Sequence, residues 1–393
     1  MLLITTLLFL CSKPILSFTV SDCQISALDD LSPIVVMHNQ NEYLYPSIND
    51  DSLRFSPGAS VDLICAGGNV IAASSSFTEV VTATCIGSTL FRVAGMQVQW
   101  RDISCSRVPT RLARYTEHGC ENGGREIEIG VSVQERFLRS MLICFDQSTQ
   151  QALYSLVKIP HSINKRRENT PRPGWLQGTG LFAVTSVTNY YTRVNQRATI
   201  NRLLGLSEES TEYIQNNNYY LARGHLTARS DTFYPSQQNQ TFYLINAAPQ
   251  WQVINQNNWY RVEVNTRDYA ESRKVDLLQW TGVYGVLAPR NQNNQPIKLY
   301  LYDINGQKYL PVPEVFWRVV YDPVSQRGVA IIGLNDPYAS SYNIFCNDVS
   351  SKITWVTADW TNTARGLTYA CEIDDFRRTV TFLPTFTVRG LLL

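Results

Sequence analysis

The sequence has few features of a membrane protein or of a strongly basic one. Its 34 lysines and arginines nearly balance 33 aspartates and glutamates, so the formal net charge is only +1. Any positive field that attracts a polyanion must therefore be local. Charged residues are scarce at 17%, whereas hydrophobic residues make up 44%. This composition predicts a globular chain, and 393 residues suit two domains or one domain with a large appendage.

A signal peptide is predicted over residues 1–17, although its first residues contain no lysine or arginine. The apolar run from Leu2 to Cys11 has the length of a signal-peptide core and is too short to cross a bilayer. We expect a secreted, extracellular protein whose mature chain begins near Phe18, without membrane attachment.

The cysteines lack the C-x-x-C spacing of zinc sites. Once Cys11 leaves with the signal peptide, an even number remains, which favours four disulfides in an exported chain. Closeness in sequence suggests two of them, Cys120 with Cys144 and Cys346 with Cys371, and leaves the others open. The eight are Cys23, Cys65, Cys85, Cys105, Cys120, Cys144, Cys346 and Cys371.

Two parts of the chain differ in pattern. Residues 18–110 contain short β-favouring runs between glycine and serine clusters, which predicts a small β-rich, disulfide-stapled module that supports folding or substrate docking. Arg107–Glu117 is interpreted as a linker, and residues 115–393 as a second domain. That domain is predicted to contain a hairpin of Leu142–Phe145 and Leu153–Ile159.

A basic, turn-rich loop follows the hairpin over Asn164–Gly174. It either contacts phosphate or is simply solvated, and its charge alone favours the solvated alternative.

Only four histidines are present, and three of them, His38, His118 and His161, have no polar companions at a useful spacing. His225 differs because it ends the aromatic, β-favouring run Tyr219–His225 in an Arg-Gly-His triplet. Gly224 permits close approach of backbone or substrate. We therefore expect the His225 imidazole to emerge where a strand leaves the core.

A second β-favouring run, Thr241–Ile245, is followed by Asn246-Ala-Ala-Pro-Gln250. Asn255, Trp259, Glu263 and Arg267 then follow at four-residue intervals, which predicts one side of a single helix. The predicted order is strand, strand, helix.

These residue types suit metal-assisted phosphodiester chemistry. Asparagine and carboxylate oxygens suit Mg²⁺, and arginine binds phosphate through paired hydrogen bonds. A neutral histidine can take a proton from an attacking water. Each element alone is ordinary, since such triplets and helix surfaces occur by chance, but their ordered combination is not.

Arg223–Arg267 resembles the ββα-metal active site of the DNA/RNA non-specific endonuclease family, which includes mitochondrial endonuclease G and secreted arthropod nucleases called double-strand ribonucleases. The resemblance rests on Arg223-Gly-His225, on Asn246-x-x-Pro-Gln250, and on Asn255 and Glu263 eight residues apart. By overall pattern it extends over residues 115–393. It implies an α+β fold with a ββα-metal core, a mixed or antiparallel sheet and flanking helices.

The resemblance also implies roles. His225 would be the general base that deprotonates water, and Asn255 the one direct protein ligand of Mg²⁺, for which Mn²⁺ could substitute. Glu263 would orient the water around the metal. Arg223 and Arg267 would stabilise the five-coordinate phosphorus, and the products would carry 5′-phosphate and 3′-hydroxyl ends.

Further positions carry weaker expectations. Asn246 would fix the geometry of the site, and Arg172 in the basic loop corresponds to an additional arginine of the family. The family's leading aspartate is Ala222 here, which puts the arrangement of the metal's water in doubt. Trp251 and Tyr234 either stack on bases or, as the favoured alternative, pack in the core.

The expected partner is DNA, RNA or both, double-stranded RNA included, and no segment indicates an obligate protein partner. Phosphate and metal contacts carry no sequence information, so cleavage should be non-specific. The main alternative is a nucleic-acid-binding or scavenging protein that keeps the fold and has lost catalysis. A third hypothesis, a matrix or toxin-like disulfide protein, would rest on the N-terminal module alone.

Overall fold

The computed structural model describes residues 21–26, 28–215, 217–340 and 342–393. The predicted signal peptide, residues 1–17, lies outside the described residues. Within them the chain folds as an α+β protein with 22 strands and six α-helices. No helix in these ranges is both long and apolar enough to cross a membrane.

An N-terminal module, residues 21–110, contains the first ten strands and confirms the predicted β-rich, disulfide-stapled unit. They are β1 Cys23–Ile25, β2 Ile34–Met37, β3 Leu53–Phe55, β4 Ser60–Ile64, β5 Val70–Ala72, β6 Ser75–Ser76, β7 Val80–Gly87, β8 Leu90–Val93, β9 Met96–Gln99 and β10 Ile103–Cys105. They form a five-stranded sheet, β2-β4-β7-β8-β9, a three-stranded sheet, β10-β5-β6, and the pair β1-β3. Cys23–Cys85 and Cys65–Cys105 cross-link the module around its own apolar core.

The rest of the chain is built on one large antiparallel sheet. Its elements are β11 Leu112–Cys120, β12 Gly124–Val133, β13 Arg136–Asp146, β14 Gln151–Ile159, α1 Val187–Tyr190, α2 Arg193–Leu204, β15 Leu221–His225, α3 Pro235–Gln240, β16 Ala247–Trp251, α4 Gln252–Asn255, α5 Asn258–Arg273, β17 Leu277–Tyr284, β18 Tyr300–Ile304, β19 Gln307–Pro311, β20 Val315–Asp322, β21 Arg327–Leu334, β22 Thr368–Cys371 and α6 Ile373–Phe376. The sheet has the order β11-β12-β13-β14-β17-β20-β21-β22. The remaining strands form the pairs β15-β16 and β18-β19.

The hairpin is confirmed as β13 and β14, and so are the disulfides Cys120–Cys144 and Cys346–Cys371. The linker Arg107–Glu117 is wrong from Leu112 onward, because that segment pairs with β12 as the edge strand of the large sheet.

The large sheet is covered on both faces, as alternation along β20 shows. Phe316 and Val320 belong to the core beneath α5, where the Phe316 and Trp259 ring centroids are 5.7 Å apart. Trp317 and Val319 point the other way, into a second core that includes Phe376 of α6. A residue of β20 on the α5 face is therefore sealed between sheet and helix.

The predicted second strand at Thr241–Ile245 is wrong. Its last two residues begin the 3₁₀ turn Leu244–Asn246, and the strand that pairs with β15 begins only at Ala247. Phe242 through Ile245 are all buried, so the apolar run fills the core on several sides instead of alternating between two faces.

The predicted single helix across Asn255 and Arg267 is also wrong. Asn255 ends α4, and α5 starts at Asn258. Between them, Asn257 leaves helical geometry with φ −113° and ψ −107°, and its Nδ2 donates to the Val253 carbonyl at 2.6 Å. Asparagine side chains compete in this way with helical hydrogen bonds, so a kink separates the two helices.

Candidate active site

His225 ends β15 and is enclosed by aromatic rings. Its ring centroid lies 4.7 Å from that of Trp175 and 5.0 Å from that of Phe242. Burial lowers the pKa of His225 to about 3, and the positive charges of Arg172 and Arg229 act in the same direction against the opposing Asp231. The imidazole is therefore neutral at physiological pH.

One nitrogen of the His225 ring is left without a hydrogen bond in the described residues. Among the described residues, its buried Nε2 atom has no hydrogen-bond partner. Buried polar atoms are nearly always paired in folded proteins, so an unpaired one marks a place where water or a ligand completes the bonding.

Arg223 lies two residues before His225 on the same strand, and therefore on the same face. Its guanidinium carbon is 5.9 Å from the Trp175 ring centroid and 5.5 Å from that of Tyr191. Nη2 donates to the Thr188 carbonyl at 3.4 Å. Burial lowers the pKa of Arg223, and its Nε atom is buried without a partner in the described residues. A partly desolvated cation thus stands beside the imidazole.

The basic loop Asn164–Gly174 adjoins this pair. Arg172 is exposed, yet its charge acts on both His225 and Arg229. Arg229 donates to the carbonyl and hydroxyl oxygens of Thr170 and so ties the loop to the segment that follows β15. The loop is therefore held next to His225, and its phosphate-contacting interpretation stays a prediction.

Asn246 lies behind the site with no exposed surface. Its Oδ1 accepts from the Thr227 amide at 3.0 Å, and its Nδ2 donates to the carbonyls of Thr227 and Thr241 at 2.9 and 3.0 Å. One side chain therefore locks the backbone that follows His225 to the backbone that enters β16.

Asn255 is half-buried at the end of α4, which packs against β15 and β16. Its Nδ2 donates to Gln252 Oε1 at 3.2 Å, and within the described residues Oδ1 has no hydrogen-bond partner. The amide carbonyl is thus left as an oxygen donor, the type that a hard cation such as Mg²⁺ prefers.

Glu263 and Arg267 belong to a buried charge cluster, which also contains Asp231 and Arg318. Arg267 Nη1 donates to Asp231 Oδ1 at 2.6 Å, and Arg318 Nη1 lies 3.2 Å from Asp231 Oδ2. Arg318 Nη2 lies 3.8 Å from Glu263 Oε1. Arg267 is only 4% exposed, so the structure binds it to a carboxylate instead of presenting it to solvent.

The carboxyl groups of the cluster shift in opposite directions. Burial raises the pKa of Glu263 to about 7; Arg318 and Arg267 counteract the rise and Asp231 adds to it. Burial also acts to raise the pKa of Asp231, but Arg318 and Arg267 outweigh it and lower that pKa. Glu263 therefore titrates near neutral pH, whereas Asp231 stays ionised.

Three residues in or beside these clusters were not predicted: Trp175, Asp231 and Arg318. Arg318 had a readable signal, because it stands in the otherwise apolar run Val315–Tyr321, where a charge needs a buried partner. Conversely, Trp251 and Tyr234 are each 1% exposed and pack in the core, so neither stacks on a base.

The described residues do not include a carboxylate-rich metal site. No group of three or more histidine, cysteine, aspartate or glutamate residues suited to a metal occurs in the part of the chain that the structure describes. A site with one amide oxygen and a shell of water contains no such group, and the free Oδ1 of Asn255 fits that type.

The chain is similar to several known proteins. The model of the family described as DNA/RNA non-specific endonuclease matches residues 122–376. The chain is 28% identical over 351 residues to the salivary endonuclease of Lutzomyia longipalpis, covering 87% of this chain and 80% of that protein. It is 24% identical over 403 residues to the salivary protein Tsal2A of Glossina morsitans morsitans, covering 96% and 97%. A chain from a crystal structure of the EndoG/EndoGI complex aligns over 66% of this chain and 89% of its own length, with 13% identity and a TM-score of 0.39.

Proposed function

Because the chain belongs to the DNA/RNA non-specific endonuclease family, its substrate class is nucleic acid, and we propose that it is a secreted, Mg²⁺-dependent endonuclease. It would hydrolyse phosphodiester bonds of DNA, RNA or both, double-stranded RNA included, to 5′-phosphate and 3′-hydroxyl ends. Residues 115–393 would form the catalytic domain, and residues 18–110 a supporting domain.

The observation that carries the proposal is the state of His225. A general base must be unprotonated and free of competing hydrogen bonds. Burial and neighbouring arginines hold the pKa of His225 at about 3, and its buried Nε2 has no hydrogen-bond partner among the described residues. The imidazole is thus prepared to take the proton of a water that attacks phosphorus.

Asn255 Oδ1 would hold the metal, with water completing its shell, and Glu263 would accept hydrogen bonds from that water. When bound, the ion neutralises charge on the scissile phosphate and on the leaving 3′ oxygen. The support for this assignment is the Asn255 amide oxygen, which has no hydrogen-bond partner among the described residues, and a carboxylate with 14% side-chain exposure.

The arginines divide into two roles. Arg223, beside the imidazole, and Arg172, on the exposed loop, would bind the phosphate and its developing charge. Arg267 is instead assigned to positioning, because its guanidinium is buried against Asp231. Asn246 would hold the strand pair that presents His225.

Lack of base specificity follows from this chemistry. The side chains that we assign to substrate binding would contact the phosphate groups, which are the same in every nucleotide. The aromatic candidates for base stacking, Trp251 and Tyr234, are in the core. Substrate choice would then depend on the shape of the backbone.

The extracellular location has two supports. The relatives reported above are salivary proteins by name, and four disulfides suit an oxidising compartment.

The test compares wild type with His225→Ala on supercoiled plasmid and on double-stranded RNA, with Mg²⁺ or with EDTA. His118→Ala, an exposed histidine in β11, is the matched control. Cleavage by wild type and by the control, lost with EDTA and with His225→Ala, is expected. Cleavage that survives both EDTA and His225→Ala refutes the mechanism. Wild type that binds either polymer without cutting it supports the scavenging alternative.

A further inference from the structure

Arg318 lies in the centre of the molecule. It belongs to β20, which is paired on both sides, with β17 and β21. It lies between Trp317 and Val319, which face the opposite core, so its own side chain points toward α5. Its side chain has no exposed surface. A guanidinium buried this deeply is costly unless other groups compensate its charge.

The partners of Arg318 come from three different elements. Nη1 donates to Gln279 Oε1 of β17 at 2.8 Å and lies 3.2 Å from Asp231 Oδ2. Gln279 Nε2 in turn donates to the same Asp231 oxygen at 3.0 Å. The third partner is Glu263 of α5, whose Oε1 lies 3.8 Å from Nη2. The face of the Trp259 ring, 5.8 Å from the guanidinium carbon, covers the cation.

Asp231 connects this cluster to the imidazole. It lies six residues after His225, in the 3₁₀ turn Arg229–Asp231, and its charge acts on His225 as well as on Glu263. Arg318 therefore binds the segment that follows the proposed base and the helix that carries the proposed water-orienting carboxylate.

The contact between Arg318 and Glu263 is electrostatic. A separation of 3.8 Å exceeds hydrogen-bond length, and in the described residues Nη2 has no hydrogen-bond partner. Arg318 therefore does not hydrogen-bond the Glu263 carboxylate, while its positive charge stabilises the negative charge of that group. The charged groups that face Glu263 are Arg318 from β20, Asp231 from the turn after β15, and Arg267 from its own helix.

We propose that Arg318 is a positioning residue for hydrolysis, which fixes the His225 segment against α5 and places a cation beside the Glu263 carboxylate. This inference rests on the proposed function and extends it to a residue that is too deeply buried to touch substrate.

The test measures kcat/KM against pH for wild type, Arg318→Lys and Arg318→Met. The pKa of His225 is about 3, so a rise of kcat/KM near neutral pH reports the ionisation of Glu263. This rising part of the plot of kcat/KM against pH is called the limb. Loss of the cation in Arg318→Met should move the limb upward by about one pH unit or more. At about pH 6 this lowers kcat/KM roughly tenfold, whereas activity recovers at high pH. Arg318→Lys keeps the charge and should keep the limb near its wild-type position.

Asp231→Asn gives a test of opposite sign. It removes a negative charge that faces Glu263, so the limb should move to lower pH. Arg136→Met, which breaks a partly buried ion pair with Asp62 in the N-terminal module, is the control for general destabilisation. It should lower thermal stability and leave the limb in place.

Three outcomes overturn the inference: a limb that stays in place in both Arg318→Met and Asp231→Asn, a limb that moves in the same direction in both, or a loss of kcat/KM that is equal at every pH. If Arg318→Met does not fold, Asp231→Asn and Arg318→Lys decide. If the protein shows no turnover, the shift of the Glu263 pKa is measured from stability instead. The unfolding free energy of each variant is compared, across the pH range, with that of the same variant carrying Glu263→Gln. A wild type that cuts no nucleic acid refutes the proposed function, and this second measurement still tests Arg318.

Discussion

Glu263→Gln should stabilise the metal-free protein at alkaline pH while abolishing hydrolysis. Burial raises the pKa of Glu263 from its ordinary value of 4.5 to about 7. The folded state therefore holds this proton more tightly than the unfolded chain does. Below pH 4.5 both states carry the proton and ionisation costs nothing. As the pH rises to about 7 the unfolded chain ionises first, so stability is lost across that interval.

The size of this loss follows from the shift. A rise from 4.5 to about 7 corresponds to about 3 kcal/mol of unfolding free energy, fully developed above pH 7. Glutamine has nearly the same shape and cannot ionise, so the variant escapes the penalty. Its advantage over wild type should be near zero at about pH 4.5 and close to the full value at about pH 8.

The assay is urea unfolding of both proteins across this pH range, with EDTA present and the disulfides intact. Asp268→Asn, an exposed carboxyl on the same helix, provides the baseline for a surface substitution. An advantage of Glu263→Gln that is constant with pH, or that grows toward acid, would refute the reasoning. Addition of Mg²⁺ to wild type should reduce the difference at alkaline pH, because a nearby cation favours the ionised carboxylate.

Three further predictions concern the support of the site. Gly224→Ala should lower the free energy of unfolding by about 1–3 kcal/mol, because the added Cβ would lie 2.5 Å from Gln250 Cβ. The control is Gly174→Ala, whose added Cβ meets no heavy atom within 4 Å. Equal melting temperatures of the two variants would contradict this prediction. Asn246→Ala should lower the free energy of unfolding, measured in urea, by at least about 2 kcal/mol and lower the rate of hydrolysis, since three buried backbone groups lose their partner. A loss below about 1 kcal/mol would count against the stabilising role of these three hydrogen bonds. Replacing Cys346 and Cys371 together with serine should lower the unfolding free energy by about 3 kcal/mol, given a separation of 25 residues, and an unchanged urea midpoint would show that this bridge contributes nothing.

Local features of the fold were readable from the sequence. The hairpin β13-β14 and the disulfides Cys120–Cys144 and Cys346–Cys371 join segments that are close along the chain, so spacing and alternation suffice to predict them. The pairs Cys23–Cys85 and Cys65–Cys105 depend on how separate strands of the module stack, which no local pattern encodes.

The chemistry of the candidate site was readable to the extent that residue order reveals it. Arg223 and His225 stand on one strand as the Arg-Gly-His run predicts, and the family resemblance is confirmed. The roles of these and the other site residues remain predictions. The charge cluster of Asp231 and Arg318 was not found, because the two residues are 87 positions apart and meet only when β20 packs beneath α5.

The kink at Asn257 has a consequence for the range of ions that the proposed metal site would accept. Asn255 is on a four-residue helix that the kink separates from α5, whereas Glu263 is on a long helix held by buried ion pairs. A small rotation of α4 could lengthen or shorten the distance from the amide oxygen to a cation while the carboxylate stays in place. We therefore expect ions of somewhat different radius, such as Mg²⁺ and Mn²⁺, to support cleavage at comparable rates, with a tolerance set by the shortest helical segments of the fold.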